Sequence, residues 1–329
     1  MAKEYEGVLM FVSVILPVYN EEKYIDSCIQ SLISQTYDRN LMEWIIVDGN
    51  STDNTRSIIQ SYSEKYSISL LVNERRNTPT SLNMAIQASR GDVIIRFDAH
   101  AVFPPDYIEK CVGWLEKTGA DNVGGWVETK AEGYTGNAIA KVLSSRFGVG
   151  DSSFRTERKS GYVDTVPFGA FRRSVFDRLG LFNEDLLRSE DNDINARIIE
   201  SGGKVFLSEE IHSVYYCRGS VHGLLQQAFQ NGNALFRTRR VNPKAMSVRH
   251  FIPFLFFLSL IVLPSVSVFI PFVRNLMWFE LGLYLSIDVY FSFMKKERRL
   301  GFVTIWLYPI FHIVYGFGSF LGLLRINVY

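Results

Sequence analysis

Residues 12–22 read VSVILPVYNEE, and this stretch decides the fold. A β-rich run at 11–16 is stopped by Pro17, and apolar residues then recur at 25–33 with the spacing of a helix. The same order returns along the chain, with further strands predicted at 43–47, 68–72 and 92–97. Ser51 or Thr52 is expected to cap the helix after the second strand. Strands that alternate with helices predict βαβ units and a mostly parallel sheet of the α/β class.

Polar and acidic residues follow three of the predicted strands. They are PVYNEE at 17–22, DGNSTD at 48–53 and DAH at 98–100. In sheets of this class ligands bind beyond the carboxyl ends of the strands, so we expect a site at this edge. The sequence contains neither GxGxxG after the first strand nor GxxxxGK[ST]. A bound nucleotide would therefore be held differently from one in the common dinucleotide-binding and P-loop proteins.

Composition excludes some classes of partner. Lys and Arg together number 35 and Asp and Glu 34, so bulk positive charge gives no support to a nucleic-acid partner. The three cysteines, Cys28, Cys111 and Cys217, form no CxxC pair and show no zinc-site spacing. We predict that they are reduced and mostly buried.

Charged residues become rare after Arg249, and three apolar runs follow. These runs cover residues 251–273, 276–294 and 300–324. Roughly 20 apolar residues cross a ~30 Å hydrocarbon core, so the first and third are predicted to span a membrane. The second carries Glu280 and Asp288, which must face another helix or water unless this segment lies at the interface. We predict a domain at 1–240 and a membrane region at 241–329 with two to three transmembrane helices.

Basic residues flank the apolar runs unevenly. Before the first run lie Arg237, Arg239, Arg240, Lys244 and Arg249, and between the second and third lie Lys295, Lys296, Arg298 and Arg299. Only Arg274 separates the first two runs. The positive-inside rule places the N-terminal domain and the second basic cluster in the cytoplasm. The expected location is the cell's inner or plasma membrane, as a multi-pass protein.

Five motifs occur in a specific order. They are VSVILPVYNEE at 12–22, IIVDGNSTD at 45–53, LNMAIQASRGDVIIRFDAH at 82–100, VPFGAFRRSVFDRLGLFNEDL at 166–186 and SEDNDINARIIESGG at 189–203. With these motifs the chain resembles glycosyltransferase family 2 over about 12–240, and it looks most like the bacterial exopolysaccharide glucosyltransferases of the succinoglycan type. The resemblance implies a GT-A fold, with a Rossmann-like nucleotide-binding sheet. It also implies inverting, metal-dependent transfer of a hexose from a UDP-sugar.

The resemblance assigns residues to the nucleotide-sugar donor. Tyr19 is expected to stack on the uracil, and Asp48 is expected to accept from its ring N–H. The remaining donor-site residues are Pro17 and Glu21 at the first strand end, Asp98, and Arg75 and Arg76 after the third strand, where a cation can reach the diphosphate. The alternatives are that Tyr19 is a turn residue and that Asp48 caps the next helix.

Asp98-Ala99-His100 occupies the position of the family's DxD motif, which holds a divalent metal ion on the donor's diphosphate. Such an ion neutralises the charge that develops on the leaving group. His100 departs from the motif. Imidazole ligates Mn²⁺ but is less natural for Mg²⁺, so the choice between Mn²⁺ and Mg²⁺ stays open. The alternative is that His100 is an ordinary surface residue.

An inverting transfer needs a carboxylate that takes the proton of the acceptor hydroxyl. The Glu190-Asp191 pair matches the family's base motif, and Asp191 is the predicted catalytic base. Glu190 and Asp193 are alternatives, since acidic residues also favour a helix N-terminus for capping alone. Glu190, Arg237 and Arg240 are further candidates for contact with the acceptor or the diphosphate. Attraction to lipid headgroups explains the two arginines equally well.

The predicted function is transfer from a UDP-sugar to a lipid-linked (polyprenyl) saccharide during exopolysaccharide or capsule assembly. An alternative acceptor is polyprenyl phosphate itself. An alternative of another class is a non-catalytic membrane scaffold that retains the fold. The Q/RxxRW motif of processive family members is missing from the sequence, which favours addition of one sugar per encounter.

Overall fold

The computed structural model describes residues 10–294 and 298–326. Lys295 and Lys296 of the predicted basic loop lie outside the described residues. The chain divides into two compact units, Met1–Glu128 with Glu157–Tyr215 and Thr129–Thr156 with Tyr216–Tyr329. The predicted boundary at residue 240 rests on hydropathy and stays a prediction.

The described residues form a nine-stranded sheet and a set of helices. The strands are β1 (Val12–Val18), β2 (Met42–Asp48), β3 (Ile68–Val72), β4 (Val93–Arg96), β5 (Ala101–Val102), β6 (Asn122–Lys130), β7 (Gly161–Tyr162), β8 (Ala170–Arg172) and β9 (Val205–Tyr216). The helices are α1 (Ile25–Ile33), α2 (Thr55–Ser63), α3 (Thr78–Ala88), α4 (Tyr107–Thr118), α5 (Gly133–Leu143), α6 (Arg146–Val149), α7 (Ser153–Thr156), α8 (Arg173–Leu179), α9 (Glu190–Glu200), α10 (Val221–Val241), α11 (Ile252–Ser267), α12 (Pro271–Phe293) and α13 (Gly301–Leu323). Helices α5 to α7 and α10 to α13 belong to the second unit.

The sheet has a parallel part and an antiparallel part. Its strand order is β3-β2-β1-β4-β8-β6-β9-β5, and β7 pairs with β9. Strands β3, β2, β1 and β4 are parallel, as predicted, while β8 is antiparallel to β4 and β6. Val18 at the end of β1 pairs with Asp48 at the end of β2. The loops that follow these two strands therefore start side by side at the carboxyl edge of the sheet.

Strand β1 continues through Pro17, where the sequence pattern predicts a stop. Proline lacks the N–H that a ladder needs, but alternate residues of a parallel strand bond to opposite neighbours. Val18 accepts from Gly49 N on the β2 side at 2.7 Å, so the backbone of Pro17 faces the β4 side. Pairing with β4 ends earlier, at Ile15 and Arg96. The missing N–H therefore removes no ladder bond.

Helix α2 begins later than the capping pattern predicts. Its first residue is Thr55, preceded by Asn54, so neither Ser51 nor Thr52 caps it. Instead the Ser51 hydroxyl accepts from the backbone N–H of Asn20 at 2.9 Å. Ser51 therefore joins the loops after β1 and β2, which fixes one side of the sheet edge against the other.

The three cysteines are free and buried, as predicted. Cys28 lies on the buried face of α1, and Cys111 lies on α4. Burial raises the pKa of the Cys217 thiol to about 11, and it raises those of Cys28 and Cys111 further. Thiols with such pKa values are protonated at neutral pH and poor nucleophiles.

In the described part of the second unit, three helical segments are long and apolar enough to cross a membrane. They are Val248–Ser267, Pro271–Phe293 and Arg298–Leu323. Of the two acidic residues in the middle segment, Glu280 accepts from the Ser259 hydroxyl of α11 at 2.6 Å. Asp288 is buried and accepts from Ser292 one turn further along α12 at 3.1 Å.

Candidate active site

Arg96, the last residue of β4, joins two acidic groups that are far apart in sequence. Its Nε donates to Asp98 Oδ1 at 3.1 Å, and one terminal nitrogen donates to Glu190 Oε1 at 2.9 Å. Only 14% of the Arg96 side chain is exposed. The structure thus brings the DxD-like segment and the start of α9 together around one buried cation.

Arg96 was not among the residues predicted from the sequence, although a signal was present. It precedes Asp98 by two residues, and side chains two apart on an extended chain point to the same side. The sequence could therefore have predicted a contact between Arg96 and Asp98.

Each charge in this group depends on the others. Burial lowers the pKa of Arg96, but the negative charges of Asp98, Glu190 and Asp191 outweigh burial and raise it overall. Burial raises the pKa of Glu190, and Asp191 adds to this rise although Arg96 opposes it. Arg96 is thus held as a cation, while Glu190 binds its proton more firmly than an exposed glutamate.

The three acids in the first turn of α9 differ in their partners. Asp193 is buried and pairs with Arg197 one turn later at 2.9 Å. Glu190 is engaged by Arg96. Asp191 is partly exposed, and its Oδ1 accepts from the Asn192 N–H at 2.8 Å. Among the described residues, it is the one acid of the three that forms no ion pair.

His100 contacts Glu21, so the ends of β1 and β4 also meet. His100 Nδ1 lies 2.9 Å from Glu21 Oε1. Burial lowers the pKa of His100, but the hydrogen bond and negative charge of Glu21 outweigh burial and raise it overall. His100 is therefore partly buried and held against the loop that follows β1.

Asp98 and His100 have a donor set that suits a divalent metal ion. A ligating imidazole usually uses one nitrogen for the metal while the other bonds a carboxylate, and Glu21 engages Nδ1 in this way. Nε2 of His100 and Oδ2 of Asp98 are then the atoms that could bind a metal ion. In the described part of the chain, no group of three or more His, Cys, Asp or Glu could hold an ion by itself. An ion held by Asp98 and His100 would need further ligands from outside these two residues, such as water.

Asp48 is fully buried at the end of β2 and is held by Arg56, a residue that was not predicted as part of the site. Its Oδ2 accepts from Arg56 Nε at 2.7 Å, and its Oδ1 accepts from Ser51 N at 3.0 Å. Arg56 also donates to Asn50 Oδ1 at 3.2 Å. Arg56, in the first turn of α2, is the exposed member of this pair.

Two predicted donor-site residues, Pro17 and Tyr19, lie at the end of β1. Pro17 pairs with Val47 inside the sheet, and Tyr19 comes one residue after the strand. Tyr19 is 44% exposed, so its ring is accessible to a planar ligand. Gly49 lies beside it, and a Cβ there would be 3.3 Å from the Tyr19 Cβ. A larger residue at 49 would crowd the aromatic side chain.

Among the described residues of the first unit, Arg75 and Arg76 form no hydrogen bond or ion pair with this acidic edge. Arg75 pairs with Glu184 at 2.7 Å, and hydrogen bonds from Asn83 and Arg75 lower the pKa of Glu184. Arg76 is exposed, with a left-handed backbone. The other two predicted arginines, Arg237 and Arg240, lie on α10 in the second unit.

Left-handed backbone conformations are concentrated in the loops of this edge. Among the described residues, six non-glycine residues have positive φ, and five of them lie in loops that follow or precede elements of the site. These five are Asn20, Asn50, Arg76, Phe168 and Ser189. Phe168 is the most unusual, because a bulky side chain disfavours φ of 47°. Such strain persists where surrounding contacts hold it, and here the Tyr107 hydroxyl donates to Phe168 O at 2.9 Å.

The parallel half-sheet with an acidic carboxyl edge, extended by antiparallel strands, is that of a glycosyltransferase with the GT-A fold. A solved mannosyltransferase, PcManGT from Pyrobaculum calidifontis in complex with GDP-Man and Mn²⁺, shares this fold with a TM-score of 0.65 and 19% sequence identity. The superposition covers 97% of this chain and 88% of that one.

The chain belongs to glycosyl transferase family 2, whose sequence model matches residues 13–180. It is 28% identical over 328 residues to the dolichyl N-acetyl-alpha-D-glucosaminyl phosphate 3-beta-D-2,3-diacetamido-2,3-dideoxy-beta-D-glucuronosyltransferase of Methanococcus voltae, covering 96% of this chain and 98% of that protein. It is also 28% identical over 222 residues to the succinoglycan biosynthesis protein ExoA of Rhizobium meliloti (strain 1021), covering 67% of each. The family predicted from the motifs is confirmed.

Proposed function

We propose that this protein is an inverting hexosyltransferase that moves a sugar from a UDP-sugar to a lipid-linked saccharide. The observation that carries the proposal is the Arg96 bridge between Asp98 and Glu190. This bridge links a segment suited to a donor diphosphate with the helix that carries Asp191. A leaving group and a base on one sheet edge are what a direct displacement requires.

For the donor, we propose that the base is recognised at the ends of β1 and β2. Uracil presents a ring N–H flanked by carbonyl oxygens. Asp48 supplies an acceptor and Arg56 a neighbouring donor, so the pair matches that edge once Arg56 turns outward from the buried carboxylate. The exposed ring of Tyr19 offers the stacking surface. Pro17 and Glu21 shape the same loop, and Arg75 and Arg76 are proposed to reach the diphosphate.

We propose that Asp98 and His100 hold Mn²⁺ or Mg²⁺ on the diphosphate. When bound, the ion neutralises the charge that the departing nucleoside diphosphate acquires. Glu21 keeps the His100 ring oriented through Nδ1. Arg96, held as a cation, fixes the Asp98 carboxylate from the protein side. The complex of PcManGT with GDP-Man and Mn²⁺, in a protein of the same fold, supports a divalent ion in the reaction.

For the chemical step, we propose Asp191 as the base. It takes the proton from an acceptor hydroxyl while that oxygen attacks the anomeric carbon. The bond to the diphosphate breaks on the opposite face, its electron pair leaves with the nucleoside diphosphate, and the configuration inverts. Glu190 and Asp193 are engaged with Arg96 and Arg197, which supports Asp191 over these two alternatives.

For the acceptor, the name of the Methanococcus voltae relative describes a saccharide on dolichyl phosphate, and the similarity extends over nearly the whole chain. We therefore propose a polyprenyl-linked saccharide, presented at the inner face of the cell membrane. The similarity to a succinoglycan biosynthesis protein supports a role in exopolysaccharide or capsule assembly. Arg237 and Arg240 are proposed to attract the acceptor's phosphate.

The test is transfer by membranes that contain the protein, supplied with labelled UDP-sugars, GDP-mannose and polyprenyl-linked acceptors, with and without Mn²⁺. The variant Asp191→Asn is compared with Asp177→Asn, which removes an exposed carboxylate on α8. We expect transfer from a UDP-sugar, loss of about 10²-fold or more in Asp191→Asn, and normal transfer in Asp177→Asn. The product should have the anomeric configuration opposite to that of the donor.

Other outcomes separate the alternatives. A product with one sugar on a polyprenyl phosphate would show that the acceptor is the lipid phosphate itself and not a lipid-linked saccharide. Transfer from GDP-mannose alone overturns the UDP assignment. Full activity of Asp191→Asn removes Asp191 as base and directs attention to Glu190. No transfer with any donor and acceptor of the panel favours the non-catalytic scaffold.

A further inference from the structure

The three apolar segments of the second unit differ in how much protein covers them. Only 6% of the apolar stretch at Val248–Ser267 and 11% of that at Pro271–Phe293 is buried, against 44% at Arg298–Leu323. Helices α11 and α12 are apolar around most of their circumference, as lipid-facing helices are. Helix α13 is different, because nearly half of it is already packed against protein.

Most of the exposed residues of α13 form one apolar stripe. Those that recur at the spacing of a helix face are Phe302, Trp306, Ile310 and Phe317, whereas Leu323 at the end of the helix lies outside this stripe. The opposite face is buried and includes the polar residues Thr304, His312 and Ser319. One face of α13 is therefore open to lipid while the other is covered by the second unit.

The C-terminal half of α13 packs along α10. A Cβ on Gly318 would collide with the carbonyl of Phe229, and one on Gly322 would collide with the carbonyl of Asn233. The two helices therefore run side by side in the same direction. Arg240 of α10 donates to Gly322 O at 3.3 Å.

Helix α10 cannot follow α13 into hydrocarbon. Its exposed or partly exposed residues include Gln226, Asn231, Arg237, Arg239 and Arg240. Charged and amide side chains at the centre of a bilayer are strongly unfavourable. If α13 crossed the bilayer, α10 would carry these groups into the hydrocarbon beside it.

The N-terminal half of α13 is covered by α5 and α6. The Tyr134 hydroxyl of α5 donates to Arg299 O, and Tyr308 of α13 donates to Ser145 Oγ, just before α6, at 2.9 Å. Lys141 of α5 donates to Ser292 O at 2.7 Å. Like α10, α5 has a basic side chain that a bilayer core would not accept.

The contacts of α13 with α11 and α12 fall in one half of that pair. Phe302 packs on Phe293 at the end of α12, and His312 bonds Tyr284 at 2.8 Å, about 14 Å before that end. Phe320 packs on Phe257, which lies about 14 Å into the segment Val248–Ser267. At 1.5 Å per residue, Phe302 and Phe320 are about 27 Å apart, so α13 advances only about half of that distance along the pair. Helix α13 therefore runs obliquely across one half of the pair.

We infer that only α11 and α12 cross the bilayer, as a hairpin, and that α13 lies obliquely at the membrane surface beside α10 without crossing. The segment Val248–Ser267 has a length of about 30 Å, which matches the hydrocarbon core. The turn between α11 and α12 exposes Val268 and Phe269, and Arg274 lies within the first turns of α12, where it can reach the far headgroups. Two crossings leave the chain's C-terminal end on the side of α10. This inference does not depend on the donor or acceptor proposed above.

Impermeant maleimide labelling of variants with one added cysteine, in membrane vesicles of both orientations, tests the inference. Phe269→Cys reports the hairpin turn, Ile326→Cys reports the end of α13, and Glu64→Cys marks the side of the first unit. The native cysteines are buried, so they add little background. We expect Ile326→Cys and Glu64→Cys to be labelled in the same orientation and Phe269→Cys in the opposite one. Labelling after detergent addition shows that each thiol is reactive.

Two results would overturn the inference. Labelling of Ile326→Cys in the orientation that labels Phe269→Cys means that α13 crosses. Failure to label Phe269→Cys from the opposite side means that the hairpin does not cross. An epitope tag after residue 329, probed with antibody in the same vesicles, gives the position of the C-terminal end without any substitution in the helices.

Discussion

Substitution of Arg96 by methionine tests whether the site is held together by one buried cation. Methionine keeps most of the side-chain volume but leaves Glu190 and Asp98 without their shared partner. Removing one member of a buried ion pair costs about 3–5 kcal/mol, because the other charge stays buried. For a domain of this size, a loss of about 3 kcal/mol lowers the Tm by about 6–12 °C.

The matched control is Arg90→Met. Arg90 pairs with Glu43 at 3.3 Å but is largely exposed, so its loss should cost less than about 1 kcal/mol. The assay is thermal unfolding of both variants in the same detergent. The double variant Arg96→Met/Glu190→Gln should regain part of the lost stability, since it removes both buried charges. Equal Tm values for Arg96→Met and Arg90→Met, or no recovery in the double variant, would refute the reasoning.

The remaining predictions concern thiols, pH and helix packing. Cys28 and Cys111, whose pKa values are raised by burial, should react with a thiol reagent only after unfolding; prompt labelling of native protein would contradict this. His100 has a raised pKa, so its contribution to stability is complete below the unfolded pKa of about 6.5 and is lost as pH rises through the higher folded value. His100→Asn should therefore lower the Tm more near pH 6 than near pH 9, and equal losses would argue against the ion pair. Gly318→Leu should destabilise the second unit by about 1–3 kcal/mol through collision with α10, measured as a lower Tm in detergent. Gly282→Leu, on the open face of α12, should leave the Tm unchanged. A similar decrease in Tm for both variants would exclude the packing explanation.

The parallel half of the sheet was predictable because local patterns determine it. Alternating strands and helices predict β1 to β4 and α1 to α3, and the observed elements agree within a few residues. In the antiparallel half, β5 and β7 were not predictable, since they have two residues each and offer no periodicity. Their positions depend on pairing with β9, which is distant in sequence.

The candidate site was predictable as a set of strand ends, but its connections were not. The motifs locate Asp98 and Glu190 separately, and nothing in their spacing shows that Arg96 joins them. Similarly, Asp48 was singled out without Arg56, because α2 begins later than its sequence suggests. Ion pairs between segments depend on how the sheet aligns its loops, which local patterns do not encode.

The left-handed loop residues also indicate how this enzyme can respond to selection. Asn50 and Ser189 hold backbone conformations that glycine adopts at lower cost, and both lie beside acidic residues of the site. Glycine at these positions would relieve backbone strain, but it would also increase the conformational freedom of the loops. Directed evolution that selects only for thermal stability should therefore introduce glycine at these positions and lower the turnover rate. Directed evolution that selects for turnover should retain the Asn50 and Ser189 side chains at the cost of a lower Tm.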